Sequence, residues 1–311
     1  MADENVASLA AEAPAPSRSR PAAAARSNLL GYVLVAPLVL IMLGVIGFPL
    51  VNTIALGLQD QRVIGTPSEF VGFETFVAVL SDGAFWRSVA RSGLWLVGNL
   101  ALQTGLAFAT ALLLMRSGLW SRTARTWILL PWVIPTVAVA VIWQWMTNTN
   151  YGIITKFLAA VGIDMGGPFA SAGTALAALT FVNSWHWFPL AAVVIHGALH
   201  TVPTEILEAA RIDGANAWQT FWHVTMPIIQ PILFALGLVG SLWALNIVDS
   251  IYLVTEGGPA DASTTAPVFT YHKAFSAFRA SEAAAASIAT IALLALLVYV
   301  YFKLARPRDD A

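Results

Sequence analysis

The stretch EAARIDGANAWQTFWHVTMP, residues 208–227, sets Glu208, Arg211 and Asp213 close together in a chain that is 58% hydrophobic and only 11% charged. A soluble domain carries about 25% charged residues. The surplus of apolar residues on either side of this polar stretch is too large for one globular core. The sequence therefore reads as an all-α polytopic membrane protein, with residues 208–227 lying between spans.

A membrane-crossing helix needs about 20 predominantly apolar residues. Marking the charge-free intervals outward from the loop predicts six. The fourth and fifth spans flank the loop, at about 173–199 and 228–253. Before them lie a first span at about 29–58, a second between Arg91 and Arg116, and a third from Arg125 to about Thr147. The sixth runs from about 283 to 302. Pro37, Pro49, Pro131, Pro135 and Pro189 fall within or beside spans, where freed backbone groups need neighbouring helices or a water-lined cavity. Residues 1–28, rich in Ala, Pro and Ser, read as a disordered cytoplasmic tail before a retained first span, and residues 305–311 as a short cytoplasmic end.

Lys and Arg favour cytoplasmic flanks. With the N-terminus inside, the inner segments hold Arg18, Arg20, Arg26, Arg116, Arg122, Arg125, Arg211, Lys303, Arg306 and Arg308. The outer ones hold Arg62, Arg87, Arg91, Lys156, Lys273 and Arg279, so the balance favours both termini in the cytoplasm. Trp86, Trp120, Trp127, Trp145, Trp218 and Trp222 sit near span ends, where indole rings prefer the interface.

Several chemistries are excluded or unsupported. The chain has no cysteine, which removes disulfides, thiolate metal sites and a thiol nucleophile. Its net charge of −1 gives no sign of nucleic-acid binding. Lys156, Lys273 and Lys303 are followed by Phe157, Ala274 and Leu304, so the G-x-x-x-x-G-K-[ST] phosphate loop is missing. His196 and His200 share a helix face by their spacing, which reads as a structural or interfacial pair rather than a metal site.

The loop itself, about 200–227, reads as helix, turn, helix. Pro203 suits a first helical turn, Glu205 and Glu208 favour its positive end, and Asp213-Gly214 signals a break. Asn216 with Gln219 has the spacing of a capping box that restarts a helix running to the Pro227 and Pro231 boundary. Glu205, Glu208 and Asp213 against Arg211 give an acidic loop that anionic lipid would repel. Its partner is expected to be a protein.

Glu208-Ala209-Ala210, Asp213-Gly214-Ala215, Phe221, Pro227 and Pro231 fill every fixed position of E-A-A-x-x-D-G-A-x5-F-x5-P-x3-P. The pattern closely resembles the EAA loop of permease subunits in binding-protein-dependent ABC importers, and the resemblance extends from about 29 to 304. Thr255-Glu256-Gly257-Gly258-Pro259 is similar to the T-x-G-G-P segment of sugar permeases of the maltose and glycerol-3-phosphate type. Phe70–Phe76 resembles their first outer loop, with Thr75-Phe76 in place of the usual Asn-Tyr, and Tyr271–Phe275 resembles the segment before their last span.

The resemblance implies a bacterial inner-membrane pore made with a second permease, expected to be a different chain. It also implies two ATPase subunits that bind ATP and Mg, an external solute-binding protein, and no cofactor in this chain. Glu208, Ala209, Ala210, Arg211, Asp213, Gly214 and Ala215 are then the ATPase-docking residues: Glu208 meets a basic group, Ala209 and Ala210 permit close approach, and Gly214 sets the bend.

A carbohydrate path should combine aromatic rings for C–H faces with donors and acceptors for hydroxyls. Asn183, Trp185, His186 and Trp187 in the fourth span fit that description, as do Trp243, Asn246 and Asp249 in the fifth. Asn246 and Asp249 are three apart and are expected on one helix face. Other readings are an ABC permease for a polyol, glycerol phosphodiester or sugar acid, and an ion-coupled secondary transporter. The last needs buried carboxylates, and the span cores hold only Asp249.

Overall fold

The computed structural model describes residues 21–63, 65–115, 118–163 and 166–305. Residues 1–20 and 306–311 of the expected tails lie outside them. The chain divides into two units after Asn52.

α1 (Pro21–Met42) passes through a π turn, Leu43–Gly47, into α2 (Phe48–Gly57), whose residues from Thr53 on belong to the second unit. Residues 21–28, expected in the tail, are helical: Pro21 stands at the start, where its missing N–H costs nothing, and four alanines follow. The span from Tyr32 to Gly57 has a mean hydropathy of 2.6, and none of its most apolar stretch is buried. A helix apolar on all sides suits lipid.

After the end of α2 the second unit continues with a short hairpin, β1 (Gln59–Asp60) and β2 (Glu69–Phe70), paired Gln59 to Phe70. Then come α3 (Glu74–Ser81), α4 (Gly83–Leu114), α5 (Leu119–Trp127), α6 (Leu130–Val133), α7 (Thr136–Met146) and α8 (Ile153–Ala160). They are followed by α9 (Ala175–His200), α10 (Thr204–Ile212), α11 (Ala217–Thr220) and α12 (Met226–Asn246). The last are α13 (Asp249–Thr255), α14 (Ala266–Tyr271) and α15 (Ala280–Ala305). Among the described residues, five helical stretches are long and apolar enough to cross a membrane, and a bent pair supplies the sixth candidate.

That bent pair is the expected third span, broken by 92° between Val133 and Thr136. Pro135 disfavours helical geometry at the residue before it, and Ile134 accordingly has ψ 130. The expected fifth span is broken too. α12 ends at Asn246, Ile247 is extended with ψ 122, and α13 starts at Asp249. Two β-branched residues, Ile247 and Val248, sit at the break, and Asp249 suits the first turn of the next helix.

At its other end the fifth span is longer than expected. Ala217–Asn246 is a single span, because a π turn at Phe221–Thr225 joins α11 to α12. Pro227 therefore does not bound the helix. The π turns at Leu43–Gly47 and Phe221–Thr225 each end two residues before a proline, Pro49 and Pro227. A proline donates no hydrogen bond and its ring crowds the carbonyl four residues back, and a widened turn at that point absorbs both effects.

α4 and α9 lie parallel. Trp95 and Leu96 pack in one cluster with Leu179, while Ala107 and Ala111 pack with Ala192, Ile195 and Ala198 further along both helices. Small side chains let the helices approach closely, which is how helices gain packing energy in lipid. α12 runs antiparallel to them, with Ile229 in the alanine cluster and the Trp95 indole N–H donating to Ala244 O at 2.9 Å. α15 is parallel to α4: Ala285 and Ala286 pack with Phe85, and the Tyr301 hydroxyl donates to Phe234 O at 2.6 Å.

These directions place the starts of α4 and α15 and the 256–265 segment at one end of this unit. Loop 201–225 and the end of α15 lie at the other. Side chains close the exposed helix ends. Gln144 Nε2 donates to Leu253 O and Val254 O at 2.9 and 2.8 Å, and the Ala266 N–H donates to Ser92 Oγ at 2.9 Å.

Candidate functional site

In the loop, α10 carries Glu208, Ala209, Ala210 and Arg211 and starts at Thr204, with Pro203 one position earlier than expected, in extended geometry. Its end is a Schellman turn. Ala215 N–H donates to Ala210 O at 3.0 Å and Gly214 N–H to Arg211 O at 3.1 Å. Gly214 has φ +83, a conformation that L side chains resist. The expected capping box is present: Gln219 N–H donates to Asn216 Oδ1 and Asn216 N–H to Gln219 Oε1, both at 2.9 Å. Gly214 thus sets the angle between two capped helices, the second of which is the fifth span.

The loop surface is open. Among the described residues, Glu205, Glu208, Arg211 and Asp213 form no ion pair, and all four are exposed. Ile212 is 86% exposed and Trp218 70%. The loop thus presents an acidic helix beside large uncovered apolar side chains. His196 and His200, at the end of α9, share a face as expected, with rings stacked at 4.4 Å and Nδ1 atoms 3.0 Å apart.

Within the spans, Asn183 is buried in a polar cluster. Its Nδ2 donates to Asn99 Oδ1 at 2.7 Å, Ser184 Oγ donates to the same oxygen at 3.3 Å, and Ser250 Oγ donates to Asn183 Oδ1 at 3.4 Å. The cluster locks α4, α9 and α13 together. Asn183 also borders a cavity of about 310 Å³ with Gln103, Trp187, Trp243, Leu236 and Val239. The rings of Trp187 and Trp243 lie 5.4 Å apart, and the Trp187 Nε1 is buried without a hydrogen-bond partner. Two indoles, two amides and an unmatched donor can receive a ligand with both C–H faces and hydroxyls.

The other expected path residues scatter. Trp185 packs edge-on against Trp143, centroids 5.6 Å apart, on a different side from Trp243. His186 is buried, with its ring 5.2 Å from that of Trp187. Asn246 does not share a helix face with Asp249, because the break at Ile247-Val248 separates them; its side chain donates to Leu242 O at 2.7 Å. It does share a face with Trp243, one turn earlier. Asp249 Oδ1 accepts from Ser250 N–H at 2.9 Å, and Asn246 and Asp249 are exposed on either side of the break. Asn99 and Gln103 were missed from the sequence. Their signal was two amides four apart within an apolar span.

Gly257, Gly258 and Pro259 form a wired turn between α13 and α14. Ser263 N–H and Thr264 Oγ1 donate to Gly257 O, both at 3.0 Å, and Ser263 Oγ donates to Gly258 O at 2.7 Å. Gly257 has φ +84, and a Cβ there would strike Thr264 Oγ1. His272 Nε2 lies 2.9 Å from Glu256 O, fastening the turn to the π turn at His272–Ser276.

The chain is 32% identical over 265 residues to the sn-glycerol-3-phosphate transport system permease protein UgpA of Escherichia coli O157:H7, covering 84% of this chain and 88% of that one. It is 28% identical over 247 residues to the trehalose/maltose transport system permease protein MalF of Thermococcus litoralis, with coverage of 79% and 84%. The diacetylchitobiose uptake system permease protein DasB of Streptomyces coelicolor is 29% identical over 261 residues, with coverage of 81% and 80%. The fold matches a chain of a bacterial alginate ABC transporter in complex with an alginate pentasaccharide-bound periplasmic protein, at a TM-score of 0.77 and 20% identity over 90% of this chain. Residues 103–308 match the family model described as binding-protein-dependent transport system inner membrane component, and the chain belongs to that family of ABC importer permeases.

Proposed function

We propose that this chain is the pore-forming permease subunit of an importer for a sugar or sugar derivative, driven by ATP hydrolysis on separate subunits that dock at residues 200–227. The observation that carries this reading is the open loop: a helix with unpaired acids and exposed Ile212 and Trp218, joined through the Gly214 turn to a helix continuous with the fifth span. Movement of a partner that grips α10 is thereby delivered to a membrane span. Sequence relatives named for maltose, diacetylchitobiose and glycerol 3-phosphate support a carbohydrate-like solute.

In this reading ATP and Mg are held by the ATPase pair, and a second, different permease completes the pore. An external binding protein delivers solute at the end bearing Gly257, Gly258 and Pro259. Both termini face the cytoplasm of a bacterial inner membrane. Glu208 meets a cation of the ATPase, with Ala209 and Ala210 at the closest approach. The solute passes Trp187, Trp243 and Asn246, with Asn183 positioning the wall behind them.

Purified complex reconstituted with its binding protein tests this. Stimulation of ATPase by binding protein with at least one member of a carbohydrate panel is expected, and no response to any carbohydrate would move the reading to a non-sugar solute. Trp243→Ala and Asn246→Ala should lower uptake with basal ATPase unchanged; unaltered uptake in both removes this face from the path.

A further inference from the structure

The outer basic residues expected from sequence run against the usual charge bias, and four of the six, Arg87, Arg91, Lys273 and Arg279, line one cavity of about 790 Å³. Two of these are neutralised internally. Lys273 Nζ lies 2.7 Å from Glu282 and 3.6 Å from Asp82, and Arg279 donates to Glu282 at 2.8 Å. The side chains of Arg87 and Arg91 have no hydrogen bond or ion pair among the described residues. They stand four apart on α4, so their guanidinium groups share a face, a like-charge arrangement that weakens a helix. Arg91 is half-buried, which adds desolvation. Glu256 and Asp261 also border the cavity, and neither pairs with either arginine.

We infer that this cavity binds an anionic polyhydroxy solute, its carboxylate or phosphate held by Arg87 and Arg91 and its hydroxyls donating to Glu256 and Asp261. The inference rests on the importer reading and narrows its substrate class. Paired guanidinium groups present planar forks of N–H donors that match both anions. The two acids border the same cavity as the arginines yet form no ion pair with them, which leaves them free as hydroxyl acceptors. A volume of about 790 Å³ lies within the range of small-molecule clefts. Arg91 stands twelve residues before Gln103 on α4, so this site lies about 18 Å along the helix from the tryptophan groove. It is a separate station.

The test uses the assembled transporter in nanodiscs at low salt without binding protein. Equilibrium dialysis compares glucuronate with glucose and glycerol 3-phosphate with glycerol. At least one charged member should bind about tenfold tighter than its neutral counterpart, and the stronger arm distinguishes carboxylate from phosphate. Arg87→Gln and Arg91→Gln should each erase most of that preference, and Arg91→Lys should restore part of it. Equal binding within both pairs overturns the inference. So does a charge preference that survives both glutamine variants, or a loss confined to binding-protein-stimulated ATPase, which would assign the arginines to a protein contact.

Arg87 is exposed, so Arg87→Gln carries the test if Arg91→Gln fails to assemble. Basal ATPase of the same sample separates the two readings. An active complex without charge preference overturns only this inference, whereas an assembled complex that never hydrolyses ATP overturns the importer assignment.

Discussion

Gly214 holds φ +83 between a helix whose last carbonyls it helps satisfy and a capping box that begins two residues later. Replacing it with alanine forces a Cβ into that geometry at a cost of about 1 kcal/mol. Gly214→Ala should keep the protein in the membrane while binding-protein-stimulated ATPase and uptake fall apart from one another; coupling measured at the wild-type ratio would refute its role as the bend. Asn99 is a second test at this scale. Asn99→Ala leaves the buried Asn183 amide without its acceptor, costing about 1–3 kcal/mol, so the thermal midpoint of the purified protein should drop by about 2–4 °C per kcal/mol lost. The two residues differ in how visible they were. Gly214, Asn216 and Gln219 act on their own backbone within a few positions, so sequence alone revealed them. Asn99 finds Asn183 and Ser184 across 84 and 85 positions of chain, a meeting that only packing reveals.

The membrane spans were legible as hydrophobic intervals, and their interruptions were not. Pro135 marked a break in the third span, but periodicity carries no bend angle, and 92° emerges from Ile134 going extended while both halves keep their packing. The break at Ile247-Val248 had no proline or glycine to announce it, and it dissolved the expected pairing of Asn246 with Asp249. Pro227 misled in the opposite direction, since a π turn carried the helix through it. Pro135→Ala restores an N–H and releases Ile134. Spin labels at positions 123 and 145 should then move from about 23 Å apart toward the 33 Å or so of a straight helix. An unchanged distance in the variant would show that neighbouring helices, not the proline, impose the bend.

Across the whole molecule, helix direction sorts the sites. α4, α9 and α15 run one way and α12 the other, so loop 200–227 and the end of α15 share one end while Gly257, Arg87 and Arg91 share the opposite one. The lysine and arginine count favoured the same division only modestly, because four of the six basic residues expected outside gather around one cavity. The chain has no cysteine, so topology can be read on a silent background. Ala260→Cys should react with an impermeant maleimide on intact spheroplasts, and Ala217→Cys only after permeabilisation. The reverse pattern would invert the orientation and reassign both ends.

The joined helix Ala217–Asn246 has a mechanical corollary. At 1.5 Å per residue it is a rod of about 45 Å, so tilting its loop end by about 5° displaces the far tip by about 4 Å. That tip carries Trp243 and Asn246 and abuts the hinge at Ile247-Val248. A stroke of that size exceeds the half-width of an indole ring, so it is enough to slide Trp243 off Trp187. Under the proposed docking, a small rotation of the partner at the loop would in this way reset an aromatic latch within the membrane.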